Sequence, residues 1–290
     1  MIIAELCQNH NGDLNVLNEM IYKAKEAGAW ACKIQSFFAD DLAEGWTSDY
    51  DRLKKLELDF DKHQIFYNTC KKIDIVPMTS VYDFRYTKEL NDIGFKHIKI
   101  GSAQAKDTAL IMRLCVAGFD VYVSTGGQNA HTLKLPTSVK CVMHCISKYP
   151  SAWNEAGILR MLSLGRHNPN AAMGFSDHTD PDAFNWDLPV KTAIYIGAQY
   201  VEKHFTILPK SETKDGKVSI TFAQLKELCD FDRLTKDEQM ASTPMLGMFF
   251  CNKSQDEIEL IERYRNRWKS SRQNGLLSIA PQPETDQTLA

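Results

Sequence analysis

Apolar residues along this chain follow two rhythms that take turns. Short β-type runs fall at 2–5, 30–35, 74–78, 96–100, 119–123, 139–145, 170–175 and 199–203. Between them apolar positions recur at three- and four-residue steps, which predicts helices near 14–27, 60–72, 83–92, 106–117, 153–164 and 184–196. In the first of these Leu14, Leu17, Ile21 and Ala24 form a stripe, and Gly28 supplies a stop. Strands that alternate with helices predict βα units and a parallel sheet. Eight such strands favour an α/β fold of the closed kind, a (β/α)8 TIM barrel, over an open doubly wound sheet. The connection at 126–137 is short and weakly helical. No internal repeat and no GxGxxG or GxxxxGK[ST] phosphate loop is present.

The pattern changes near residue 230. Residues 1–230 read as the barrel domain, 231–269 as an irregular segment with a C-terminal helix, and 270–290 as a disordered tail. The irregular part is 231–252; Ser254-Gln255-Asp256-Glu257 then makes a capping box. In the helix that follows, Ile258, Ile261 and Trp268 share a stripe suited to docking on the barrel or on a second subunit, which leaves a homodimer open.

With 290 residues, one barrel is a better fit than two domains. A net charge of −3 and the lack of a basic stripe give no reason to expect nucleic acid or membrane partners. No run of 18 apolar residues is present, and the N-terminus lacks the layout of a signal peptide. Eight scattered cysteines without a CxxC pair read as reduced thiols, which predicts a cytoplasmic protein. Cys141, His144 and Cys145 are close in sequence but lack zinc-site spacing.

In a barrel of this kind, chemistry collects at the C-terminal ends of the strands. Polar residues stand there on every strand: Glu5; Lys33 and Gln35; Ser80; Lys99 and Ser102; Ser124; Ser147 and Tyr149; Ser176 and His178; Glu202 and His204. A lysine inside an apolar strand needs a counter-charge. Lys33 and Lys99, with hydroxyls around them, describe a pocket for a small anion carrying phosphate and carboxylate; the alternative is pairing with structural carboxylates. His178 and His204 end neighbouring strands with Asp177 and Glu202 nearby, and read either as metal ligands or as hydrogen-bonding core residues. Imidazole with oxygen donors suits Mn²⁺, Fe²⁺, Co²⁺ or Zn²⁺ as a Lewis acid. His63, His97, His131 and His167 lack such company and read as surface or helix residues.

The strand-end segments form an ordered series: Ile2-Ile-Ala-Glu5 with Asn9-His-Asn-Gly-Asp13, Lys33-Ile-Gln35, Lys99-Ile-Gly-Ser102, Ser124-Thr-Gly126, Tyr149-Pro150, Gly174-Phe-Ser-Asp-His-Thr179 and Glu202-Lys-His-Phe-Thr206. Over residues 2–228 this series resembles the sialic acid synthase family, which makes neuraminic, legionaminic and pseudaminic acids. The resemblance implies condensation of phosphoenolpyruvate with an open-chain N-acylated amino sugar, giving a nine-carbon 2-keto sugar acid and phosphate. It implies that Lys33, Ser80, Lys99, Ser102, Ser124, Ser147 and Ser176 hold phosphoenolpyruvate. Gln35, Tyr149, Glu202 and Asp215 would face the sugar, and Glu5 would handle water or a proton. His178 and His204 would hold a divalent metal, Mn²⁺ first, with Mg²⁺ or Co²⁺ as alternatives.

The chain departs from the family at Ser80-Val81, where Thr-Pro is usual, at Lys214-Asp-Gly216, and in extra residues at Phe184–Pro189. The family's C-terminal antifreeze-like domain is not in the sequence. Two other readings stand beside this one: a 3-deoxy sugar acid synthase acting on another aldose, and a non-catalytic binder of phosphoenolpyruvate or sugar. No arginine cluster at the strand ends awaits a second phosphate, which tells against the former.

Overall fold

In the computed structural model the described residues are 1–243 without Glu44, Trp46 and His131, and among them eight parallel strands close on themselves in chain order. They are β1 (Ile2–Glu5), β2 (Ala31–Ser36), β3 (Val76–Val81), β4 (His97–Ile100), β5 (Asp120–Ser124), β6 (Cys141–Cys145), β7 (Ala172–Asp177) and β8 (Tyr200–His204). β8 pairs back to β1 from Ile2↔Val201 to Glu5↔His204, which removes both sheet edges. The expected (β/α)8 barrel is the fold observed.

Side chains on the strands sort by parity. Ile3, Ala31, Met78, Tyr122, Met143 and Tyr200 fill the barrel's lower interior with Trp30. Ala4, Cys32, Ile34, Ile98, Val121 and Val201 face the helices instead. Trp30 meets His97 and Tyr200 at centroid separations of 5.4 and 5.2 Å, and Tyr122 stands edge-on to Tyr200 at 4.9 Å. These rings make an aromatic floor. His97 belongs to it as a strand residue, hydrogen-bonded to the Tyr122 hydroxyl at 3.2 Å, and not to a helix or the surface.

The helix stops explain where the strands begin. Helix Leu14–Ala27 ends at Gly28, whose φ of 99° lets the Ala29 N–H turn back to Ala24 O at 3.0 Å. The same five-residue return joins Ile75 to Cys70, Phe95 to Leu90, Phe119 to Leu114 and Ala198 to Ala193. Each returning residue is apolar and buried against the end of its helix. The apolar runs in the sequence therefore include helix plugs as well as strand, and β2, β3, β4, β5 and β8 start one or two residues later than expected; β6 and β7 also start two residues later.

Helices Leu14–Ala27 and Phe60–Lys72 match expectation, and Thr87–Ile93, Thr108–Val116, Leu159–His167 and Leu188–Tyr195 fall close to it. Two helices between β2 and β3, Ala39–Leu42 and Ser48–Leu56, were not anticipated. They bury a small cluster of Phe37, Ala39, Leu53 and Leu56, too few positions to make a clear stripe. No helix forms at 126–137 among the described residues. After β8, helix Phe222–Asp232 packs beside the first helix, and Lys236–Ser242 is helical although 231–252 reads as irregular. Capping boxes at Thr221/Gln224 and Thr235/Glu238 open these two helices. The capping box at 254–257, the helix after it and the tail at 270–290 lie outside the described residues. No helix among the described residues is long and apolar enough to cross a membrane.

Candidate active site

Register decides which strand-end polar residues meet. Glu5 stands level with Lys33 on one side and His204 on the other. Ser80 is level with Gln35 and Lys99, and Ser176 with Cys145 and Glu202. Glu5, Lys33, Gln35, Ser80, Lys99, Glu202 and His204 line a cavity of about 600 Å³, joined by Ser102, Ser147, Tyr149 and Asp215 from the loops. Ser124, Ser176 and His178 do not line it; they lie buried just behind.

The cavity floor is a balanced set of charges. Lys33 pairs with Glu5, donates to Ser80 Oγ at 2.7 Å and sits 3.6 Å from Glu202 Oε2. Lys99 donates to Glu202 Oε1 at 2.5 Å and to Ser176 Oγ at 3.1 Å. Of the two readings of these lysines, pairing with carboxylates is therefore present. None of the four charged residues is more than 5% exposed, so the cluster is costly to keep in low dielectric unless it is paired. Burial pulls Lys33 down to about 7. Burial works against ionised Glu202 too, but Lys33 and Lys99 outweigh it and hold that carboxyl at about 2. Several acceptors are left over: Glu5 Oε1, Glu202 Oε2 and Ser124 Oγ are buried without a hydrogen-bond partner. These oxygens can take a hydrogen-bond donor, such as ordered water or a substrate hydroxyl.

Above this floor the two histidines face each other. Their ring centroids are 5.5 Å apart. Tyr149 stacks on His178 at 4.0 Å and stands edge-on to His204 at 5.7 Å. The loop carrying Tyr149 is held there because the Ser151 N–H donates to His178 O at 2.9 Å and Ser151 O accepts from the Asp180 N–H at 3.1 Å. Burial holds His178 down at about 4, and burial with His178 beside it pushes His204 well below the ordinary range, so both rings are neutral near pH 7. His178 Nδ1 lies 2.5 Å from Ile146 O, which fixes the proton on that nitrogen and leaves Nε2 with its lone pair. His204 Nδ1 is buried without a hydrogen-bond partner, 3.8 Å from Asp215 Oδ2. Neutral, oriented imidazoles with a carboxylate beside them fit a divalent metal.

Motifs flanking the strands turn out to be scaffolding. Asn9 donates to Phe205 O at 3.0 Å and to Ser219 Oγ at 2.8 Å, and Ser219 in turn donates to Asp215 O at 2.7 Å. That chain of bonds holds Asp215 over the end of β8. Asp13 caps the first helix. Gly126 brings backbone against the pocket hydroxyls: a Cβ there would lie 2.0 Å from Ser147 Oγ and 2.9 Å from Ser102 Oγ.

Residues that the sequence reading missed also reach the cavity. Gln8 and Arg52 line it, with Arg52 Nη1 donating to Gln8 Oε1 at 2.5 Å and Nη2 to Asp49 Oδ1 at 2.7 Å. No apolar stripe in the sequence marks Arg52, which rides on the helix Ser48–Leu56. His63 is a helix residue, as expected, in Phe60–Lys72; it is fully buried there, bonds Ser36 Oγ at 2.7 Å and pairs with Glu89. Cys141 and Cys145 face into the barrel, whereas His144 faces out and bonds Ala156 O at 2.7 Å, so the three do not form a site.

Comparison with known proteins agrees with the strand-end motifs. The N,N'-diacetyllegionaminic acid synthase of Campylobacter jejuni is 29% identical over 253 residues, covering 79% of this chain and 74% of that protein. The N-acetylneuraminate-9-phosphate synthase of Drosophila melanogaster is 28% identical over 283 residues, covering 89% and 73%. The crystal structure of N-acetylneuraminic acid (sialic acid) synthetase from Leptospira borgpetersenii serovar Hardjo-bovis, in complex with citrate, shares the fold at a TM-score of 0.70 and 24% identity. That likeness covers 91% of this chain and 90% of that one. Residues 20–241 match the model of the NeuB family, and with most of the barrel inside that match the chain belongs to the NeuB family.

Proposed function

We propose that this chain condenses phosphoenolpyruvate with the open-chain aldehyde of an N-acylated amino sugar such as N-acetylmannosamine, giving a nine-carbon 2-keto sugar acid and phosphate. The observation that carries the reading is the buried Glu5–Lys33–Glu202–Lys99 set, whose two lysines line one cavity together with the hydroxyls of Ser80, Ser102 and Ser147 and with His204. Lys33 and Lys99 hold the phosphate and carboxylate of phosphoenolpyruvate, aided by the hydroxyls of Ser80, Ser102, Ser124, Ser147 and Ser176. Glu202 sits between both lysines, so it is the group the anion displaces. Gln35, Tyr149, Glu202 and Asp215 orient the sugar so that its aldehyde carbon meets the enol carbon. Glu5 takes a proton from the water that adds at the neighbouring carbon before phosphate leaves. His178 and His204 would hold a divalent cation, which would polarise the aldehyde oxygen.

Arg52 is engaged with Asp49 and Gln8, which disfavours a second phosphate site for a phosphorylated aldose. Phosphate release from phosphoenolpyruvate, measured with Mn²⁺ and a panel of N-acylated hexosamines, tests the proposal. Release with at least one sugar is expected. Tight phosphoenolpyruvate binding without release for any sugar would instead favour a binding protein. Lys99→Ala should weaken phosphoenolpyruvate binding by about tenfold or more while leaving metal affinity nearly unchanged. Equal phosphoenolpyruvate affinity in the variant would remove Lys99 from the anion pocket.

A further inference from the structure

Cys7 is the second residue past the end of β1 and has φ of 39°, in the left-handed region that a side chain with a Cβ rarely enters. Such strain persists when something holds it, and it collects at functional positions. The residue is 1% exposed. Its Sγ, one ring nitrogen of His204 and one carboxylate oxygen of Asp215 all lie within 4.8 Å of one another. His204 is 4% exposed, and its Nδ1 has no hydrogen-bond partner. Asp215 is fixed in place by the Asn9–Ser219 bonds. Two other buried thiols, Cys32 and Cys70, sit in the outer apolar core with aliphatic and aromatic neighbours, away from this set.

We propose that Cys7 is itself a metal ligand, forming with His204 and Asp215 a thiolate–imidazole–carboxylate set that favours Zn²⁺ or Co²⁺ over Mn²⁺. The inference rests on the reading above that the end of β8 holds a divalent ion, and it goes further by naming a ligand and its consequence for metal choice. Thiolate is a soft donor, and its presence shifts preference toward Zn²⁺ and Co²⁺ and away from an ion that prefers oxygen. Donors about 2.0–2.3 Å from a tetrahedral ion lie roughly 3.5 Å apart, so the three groups need to close by about an ångström. On ligation the Sγ–H bond breaks, its electron pair forms the bond from sulfur to metal, and one proton leaves to solvent.

Titration of the full-length, metal-stripped chain with Co²⁺ tests the assignment, because a thiolate ligand gives a charge-transfer band in the near ultraviolet that nitrogen and oxygen ligands do not. The wild type should develop this band and saturate near one ion per chain. Cys7→Gly suits the left-handed backbone and should keep its thermal midpoint without metal. It should still bind Co²⁺ but lose the band, with Zn²⁺ affinity falling at least about tenfold and Mn²⁺ affinity changing far less. Cys7→Ser provides a second variant, with the band likewise lost. A band of equal strength in both variants, or a wild type that binds Co²⁺ without one, would overturn the role of Cys7 and leave the histidine site standing. A wild type that binds no divalent ion would overturn both.

Discussion

Glu202 shows how much a single side chain can be asked to do. Its two oxygens face Lys99 at 2.5 Å and Lys33 at 3.6 Å, and its own exposure is 2%. Replacing it by glutamine leaves two buried ammonium groups short of a counter-charge, a change worth about 3–5 kcal/mol when a buried pair is broken. Glu202→Gln should therefore lower the unfolding midpoint, and added inorganic phosphate should restore more of it than phosphate adds to the wild type. Calorimetry with and without phosphate measures this; equal shifts in both proteins would mean that the lysines do not take up an anion. At this scale the sequence was legible in part. Lys33, Lys99 and the hydroxyls could be picked out because each breaks an apolar strand. That their partners are Glu5 and Glu202 depends on register between strands, which no single strand encodes. Cys7 carries no signal of its own in the sequence beyond following a strand end.

At the scale of elements, period-two alternation sorts Glu202-Lys203-His204 into two jobs. Glu202 and His204 face the cavity, and Lys203 points the other way. There, fully buried, it donates to Asp177 Oδ2 at 2.5 Å and to Thr179 O at 2.7 Å, tying β7 to β8 behind the histidines. Lys203→Met should cost about 3–5 kcal/mol because Asp177 is left buried and unpaired. Denaturant unfolding reads that loss, and a variant within about 0.5 kcal/mol of wild type would show the tie to be dispensable. The order of strands and helices was readable because the two periodicities alternate. The starts of seven strands were not; for five of them the reason is that Ala29, Ile75, Phe95, Phe119 and Ala198 are apolar for the sake of the preceding helix. Helix Ser48–Leu56 stayed hidden for the opposite reason: it is charged along much of its length and buries little.

For the whole molecule, acid is the expected weakness. Burial holds His10 at about 4, His144 at about 3 and His178 at about 4, against an ordinary 6.5. The folded rings stay neutral while the unfolded chain binds protons below 6.5, so stability is full above that pH and falls as the solution is acidified through 6.5 toward 4 and 3. Each ring should remove on the order of 2 kcal/mol by pH 5. Calorimetry of the metal-free protein between pH 7 and 5 should show a steadily falling midpoint; a flat profile would mean these rings are solvated in the folded state. Closure of the barrel has a different consequence. With Trp30, Tyr122 and Tyr200 sealing one end, the two substrates of the proposed reaction would have to use the same doorway, and the lysines lie deeper than Tyr149, which is 46% exposed at the rim. A sugar that arrives early stands in the way of the anion. Traffic through a dead-end passage is a queue, and in the proposed reaction phosphoenolpyruvate would have to be first in it.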